Sequence, residues 1–104
     1  MKYRQIKFTC TAKKWFDKVN GNTYHSVRVT RHKDGAVIVG QFQYGYGEHY
    51  KQTALAAMAD AKWLPVKYRS IDAQFQYERE NNYPILWDLS RFCLKRDCVA
   101  NGIL

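Results

Sequence analysis

The chain has little of what metalloenzymes and secreted scaffolds are built from. Its three cysteines, Cys10, Cys93 and Cys98, are an odd number and form no C-x-x-C pair, which argues against a disulfide framework or a zinc ribbon and fits a reducing compartment. Nine acidic residues face seventeen lysines and arginines, and Asp17, Asp34, Asp60 and Asp88 are scattered, whereas a metal-dependent nuclease needs clustered carboxylates. His25, His32 and His49 have no zinc-ligand spacing with one another or with Cys93 and Cys98. Cysteines of this kind are more often buried structural residues than nucleophiles. Gly45-Tyr46-Gly47 lacks the third glycine and the parallel βαβ setting of a phosphate-binding fingerprint. The expectation is a protein without a cofactor, a metal or catalytic residues, one that binds and is not an enzyme. No apolar run approaches the roughly 20 residues of a membrane span, and MKYRQIKFTC has no apolar signal core. A soluble, cytoplasmic protein without a membrane partner is expected.

What the chain does have is positive charge and aromatic rings. Its 104 residues suit a single domain, 1–104, and 46% hydrophobic with 25% charged residues is an ordinary globular balance. The net charge is +8, and there are eight Tyr, five Phe and three Trp. The charge is segregated: residues 1–34 hold nine Lys or Arg against Asp17 and Asp34, residues 35–65 balance at zero, and residues 66–104 carry six positives against five negatives. A basic surface with aromatic side chains points to an anionic partner.

Asn20-Gly21 and Asp34-Gly35 are hairpin-turn dipeptides set between runs of Val, Ile, Tyr, Phe and Thr. They predict three antiparallel strands, about residues 4–19, 22–32 and 36–44. With two-residue turns, Ile6, Phe8, Cys10, Ala12 and Phe16 share a face with Val27, Val29, Ile38, Phe42 and Tyr44. Lys14 and Arg31 fall on that apolar face and need a bulge, a strand end or a long stem reaching water. The other face carries Lys7, Thr9, Thr11, Lys13, Trp15, Tyr24, Ser26, Arg28 and Thr30, with Lys13 opposite Arg28. Like charges placed so repel unless an anion lies between them.

YKQTALAAMADAKWL has helical spacing of Tyr50, Ala54, Ala57, Met58 and Ala61, and the helix should stop before Pro65. SIDAQFQYERENN alternates as a strand would, yet Ser70, Asp72 and Asn81-Asn82 supply helix start and stop signals, which favours a short helix. Residues 84–89 read as a fourth strand, and the tail FCLKRDCVANGIL either packs back or frays. The fold class is α+β: a three- to four-stranded antiparallel sheet, β-meander first, with one or two helices packed on one face.

WFDKVNGNTYHSVRV (15–29) with FQYGYG (42–47), and more faintly ENNYPILWDLS and LKRD (80–90, 94–97), resembles small uncharacterised proteins of bacteriophages and prophages. The resemblance implies a phage origin and residence in a bacterial host cell, and it brings no functional residues. Such proteins serve in host takeover and in blocking defence systems, including as CRISPR inhibitors.

Two functions follow as expectations. The first is binding of nucleic acid or a host nucleoprotein complex, with Lys7, Lys13, Lys18, Arg28 and Lys33 on phosphates and Trp15 and Tyr24 against bases. The second is an anti-CRISPR-like inhibitor that docks on a host defence protein through the same face or through a loop carrying Tyr44, Tyr46 and Tyr50. A homodimer through an exposed edge strand or the Val37/Val39 patch is a further expectation.

Overall fold

A computed structural model describes residues 5–69 and 73–104. Arg4, Ser70, Ile71 and Asp72, expected at the starts of the first strand and the short helix, lie outside the described residues, as does Lys2. The chain is α+β. Three strands come first, β1 (Phe8–Asp17), β2 (Asn22–Arg31) and β3 (Val37–Tyr44), followed by α1 (His49–Asp60) and a 3-10 turn (Val66–Arg69). Then come α2 (Ala73–Glu80), β4 (Ile85–Ser90) and α3 (Lys95–Asn101). The sheet order is β3-β2-β1-β4.

Both glycine turns form where expected, but each closes a four-residue loop. Asp17 pairs with Asn22, and Gly21 takes the left-handed backbone at φ 71°. The Asp17 carboxylate accepts the N–H groups of Val19 and Asn20 at 3.0 and 3.3 Å and so holds the wider loop. At the second turn Asp34 forms a two-point ion pair with Arg31 and accepts the Ala36 N–H at 3.1 Å. The register therefore moves by two residues: Lys13 lies opposite Ser26, and Arg28 opposite Thr11, which removes the expected Lys13–Arg28 confrontation. An even shift leaves the side-chain faces unchanged. Phe8, Cys10, Ala12, Val27 and Val29 are buried together beneath Tyr50, Ala54, Leu55 and Met58 of α1.

The two basic misfits on that face are resolved by their stems. Lys14 reaches the Gly47 carbonyl, passing over the Tyr50 ring. The Arg31 guanidinium lies 4.5 Å from the Trp63 ring centroid, a cation–π contact at a strand end.

α1 lies close on the sheet because Gly40 has no side chain. A Cβ there would meet Thr53 Cγ2 at 2.5 Å and Val27 Cγ2 at 2.6 Å. Gly40→Ala is expected to cost about 1–3 kcal/mol through overpacking, read as a lowered denaturant midpoint with an unchanged slope. α1 ends at Asp60, well before Pro65, with Lys62 at positive φ reversing the chain.

The expected α+β architecture holds, and the structure adds two details to it. The fourth strand runs parallel to β1, with Phe8 beside Ile85 and Ala12 beside Leu89, so the sheet is mixed. A parallel strand needs a long crossover connection, and the stretch from α1 through α2 supplies it. Helices also cover both faces. The tail packs as α3 on the face opposite α1, where Asn101 Nδ2 donates to Thr11 O at 3.0 Å and Cys98 is buried against Ser26. The short helix expected within 71–82 is present as α2.

Candidate nucleic-acid interface

β3 contains a bulge opposite Ser26. Val27 pairs with Gly40, but His25 pairs with Gln43 and Tyr24 with Tyr44, so one extra residue of β3 is accommodated. Beyond a bulge the side-chain alternation reverses. Phe42 and Tyr44, expected on the apolar α1 side, therefore lie on the opposite face beside Trp15 and Tyr24.

The result is a ledge of contacting rings across three strands. Trp15 and Tyr24 have centroids 5.6 Å apart. Tyr24 stacks on Phe42 at 5.1 Å with 9° between planes. Tyr44 meets Tyr24 edge-on at 5.9 Å, and Tyr46 meets Tyr44 at 6.4 Å. Such geometries add stability beyond area burial. The outer rings are open to solvent, Tyr44 at 54% and Tyr46 at 71% exposure. Lys95 of α3 holds its ammonium 5.2 Å from the Trp15 centroid. Lys18 is exposed in the adjoining β1–β2 loop, and Lys13 is half-buried on the same face as Trp15.

A buried histidine fixes the joint that presents Tyr44 and Tyr46. His25 is fully buried, with Nδ1 3.2 Å from Gly45 O and Nε2 2.7 Å from Thr53 Oγ1. A carbonyl only accepts, so Nδ1 carries the hydrogen and the Thr53 hydroxyl donates to Nε2. Burial pushes the His25 pKa down to about 4; the Gly45 hydrogen bond opposes this, and His49 and Lys14 reinforce it. A Cβ on Gly45 would lie 2.6 Å from His25 Cε1, so glycine is required where the backbone crosses the ring.

The seven residues expected to form one binding face are divided. Trp15, Tyr24, Lys18 and Lys13 gather at or beside the ledge. Arg28 is half-buried beneath the tail, donating from Nη2 to Ile103 O at 2.6 Å. Lys7 and Lys33 lie at the other end of β1, with Arg31, His32 and Trp63 around a groove of about 480 Å³. Of the expected protein-docking loop, Tyr44 and Tyr46 join the ledge, whereas Tyr50 is 6% exposed and belongs to the core. Lys95 is a ledge residue that sequence periodicity did not single out, and Phe42 is one that it placed on the other face. The bulge that moves Phe42 has no local signature beyond Gly40, and Lys95 arrives only with the packing of α3.

Two of the three cysteines, Cys10 and Cys98, are buried. Burial, with a smaller contribution from Asp88, raises the Cys10 thiol to about 12, and burial also raises Cys98; both are thiols, not thiolates, at neutral pH. Among the described residues, no three His, Cys, Asp or Glu side chains gather as a metal-ligand set, and no helix is long and apolar enough to cross a membrane. No protein-family model matches the chain, and neither a curated protein nor a solved structure does.

Proposed function

We propose that the protein binds single-stranded nucleic acid on the Trp15–Tyr24–Phe42–Tyr44–Tyr46 ledge, without reading base sequence. The observation that carries this reading is the continuity of the rings. Tyr44 and Tyr46 are open for bases to stack on, while Lys13, Lys18 and Lys95 stand at the Trp15 end of the ledge for the backbone phosphates. Every base has a π-face, so stacking on such a ledge tolerates any sequence. Duplex is the poorer ligand, because its bases are already stacked on each other. On this reading the phage-type chain meets exposed single strands, bare or within a nucleoprotein complex, in the cytoplasm of a bacterial host.

Fluorescence anisotropy with labelled oligonucleotides tests it. Single strands should bind more tightly than the corresponding duplex. The logarithm of the affinity should fall with the logarithm of salt concentration with a slope of roughly −2, as for about three phosphate contacts on a single strand. Equal or tighter duplex binding would contradict the reading.

A host protein as partner is the second reading. It is favoured by Phe92, which is 96% exposed on a segment tied to the ledge end of β1 by the Cys93 N–H to Lys14 O bond of 3.0 Å. Exposed aromatic anchors suit a protein interface. Phe92→Ser would then weaken capture of a protein partner and leave oligonucleotide binding unchanged.

A further inference from the structure

The strand β3 is an edge of the sheet, and its free side is unusual for a chain so highly charged. Residues 35–47 contain no charged side chain and no proline. Edge strands are ordinarily blunted by lysine, proline or a covering segment, because their outward N–H and C=O groups template further pairing. The ladder identifies those outward groups. Arg31 N–H donates to Ala36 O at 2.8 Å, so the pairs Val29–Ile38 and Val27–Gly40 carry the bonds to β2. By alternation, the backbone groups of Val37 and Val39 point away from the sheet.

The space beside this edge is a slot. A cavity of about 670 Å³ runs along Ile38, Val39 and Gly40, with Ala56, Ala57 and the mutually paired Asp60 and Arg69 on one side and Leu104 of the tail on the other. It is walled on both faces of the sheet and open along the edge, which is the shape an added strand requires. Leu104 is largely exposed there.

We propose that the slot receives β3 of a second copy of this chain, in a two-fold symmetric antiparallel pairing. The edge is its own complement: about an axis at Ile38, Val37 of each copy lies opposite Val39 of the other, and each supplies both donors and acceptors. This register leaves the bulged residues outside the new ladder. It sets the two Ile38 side chains together and the alanines of the two α1 helices side by side on one face. Charge decides where copies of a +8 chain can meet, and the uncharged 35–47 edge avoids the repulsion that other surfaces would meet. The same register brings the Lys33 turn of one copy alongside Gln43 and Tyr44 of the other, so cations from the far end of β1 come to stand by the partner ledge. The pairing itself does not depend on nucleic-acid binding.

Sedimentation velocity without nucleic acid, from micromolar to the highest soluble concentration, tests it on the full chain. The wild type should show twice the chain mass. Val39→Pro removes an outward N–H that β2 does not use, a change edge strands accommodate, and Val37→Lys adds the charge the edge lacks. Both variants should sediment as single chains with an unchanged circular dichroism spectrum; if the proline variant does not fold, the lysine variant decides. A wild type of one chain mass at every concentration, or a dimer that survives the substitutions, would overturn the proposal.

Discussion

Replacing Tyr44 and Tyr46 together by Ala should lower affinity for a short single-stranded oligonucleotide by about thirtyfold or more, with folding unaffected. Base stacking on an aromatic side chain contributes about 1–3 kcal/mol per base, and even the lower figure doubled corresponds to roughly that change. The two rings suit the test because they are the exposed end of the ledge and their loss opens no cavity in the core. Truncating Tyr24 or Phe42, which stack on each other at 5.1 Å, would mix lost binding with lost packing. Neutralising Lys7, as Lys7→Gln, should have the smaller effect, because it lies at the other end of β1 from the ledge. A double tyrosine variant that binds as tightly as wild type would remove the ledge from the binding site.

Acid should destabilise the protein through His25 in a defined window. The native pKa is near 4, below the unperturbed histidine value of about 6.5. Above that higher value both folded and unfolded chains hold the ring neutral and stability is unaffected. As pH falls below it, the unfolded chain takes up a proton that the buried ring refuses, so unfolding becomes easier. The drop ends near pH 4, where the folded ring also titrates. Each tenfold difference in proton affinity between the folded and unfolded ring corresponds to about 1.4 kcal/mol, which makes the total roughly 3 kcal/mol, a large share of the 5–15 kcal/mol typical of a domain. Asp34, which its Arg31 hydrogen bonds hold down to about 2, acts below this window. Chemical denaturation from pH 7 to pH 4 measures the effect. In a His25→Asn variant the baseline stability should be lower, but the slope between pH 6.5 and 4 should be much flatter. An equally steep slope in the variant would assign the acid sensitivity elsewhere. In the folded chain the ring takes up its proton only near pH 4, where Nδ1 still donates to Gly45 O but Nε2 no longer accepts from the Thr53 hydroxyl.

The first half of the fold was largely legible from turn chemistry and alternation. Asn20-Gly21 and Asp34-Gly35 do close the hairpins, and the buried set of Phe8, Cys10, Ala12, Val27 and Val29 follows from the period of two. That set is insensitive to loop length here, because Asp17 and Asp34 widen both turns by capping backbone N–H groups, and a two-residue slip keeps every face. The bulge was not legible: it is set by a tertiary arrangement, with His25 reaching Gly45 O and Thr53 and with Gly40 beneath α1. That one-residue insertion joins two surfaces that the sequence keeps separate, the Trp15/Tyr24 sheet face and the Tyr44/Tyr46 loop.

The direction of β4 was hidden for a different reason. Its sequence is compatible with either orientation, and only the path of the crossover through α1 and α2 decides. The tail was ambiguous because a seven-residue helix has too few positions to show periodicity. Its burial rests on specific polar contacts, Asn101 with Thr11 O and Arg28 with Ile103 O. Those contacts also explain why the middle of the basic face is covered, so that the charge segregated in the first third of the chain emerges at the two ends of β1.

The most direct test of the ledge as the binding surface is an amide and aromatic chemical-shift titration of isotope-labelled protein with a short oligothymidine. Shifts should concentrate on Trp15, Lys18, Tyr24, Phe42, Tyr44, Tyr46 and Lys95, and fade as salt is raised. Shifts confined to Lys7, His32, Lys33 and Trp63, or no shifts at low salt, would contradict it.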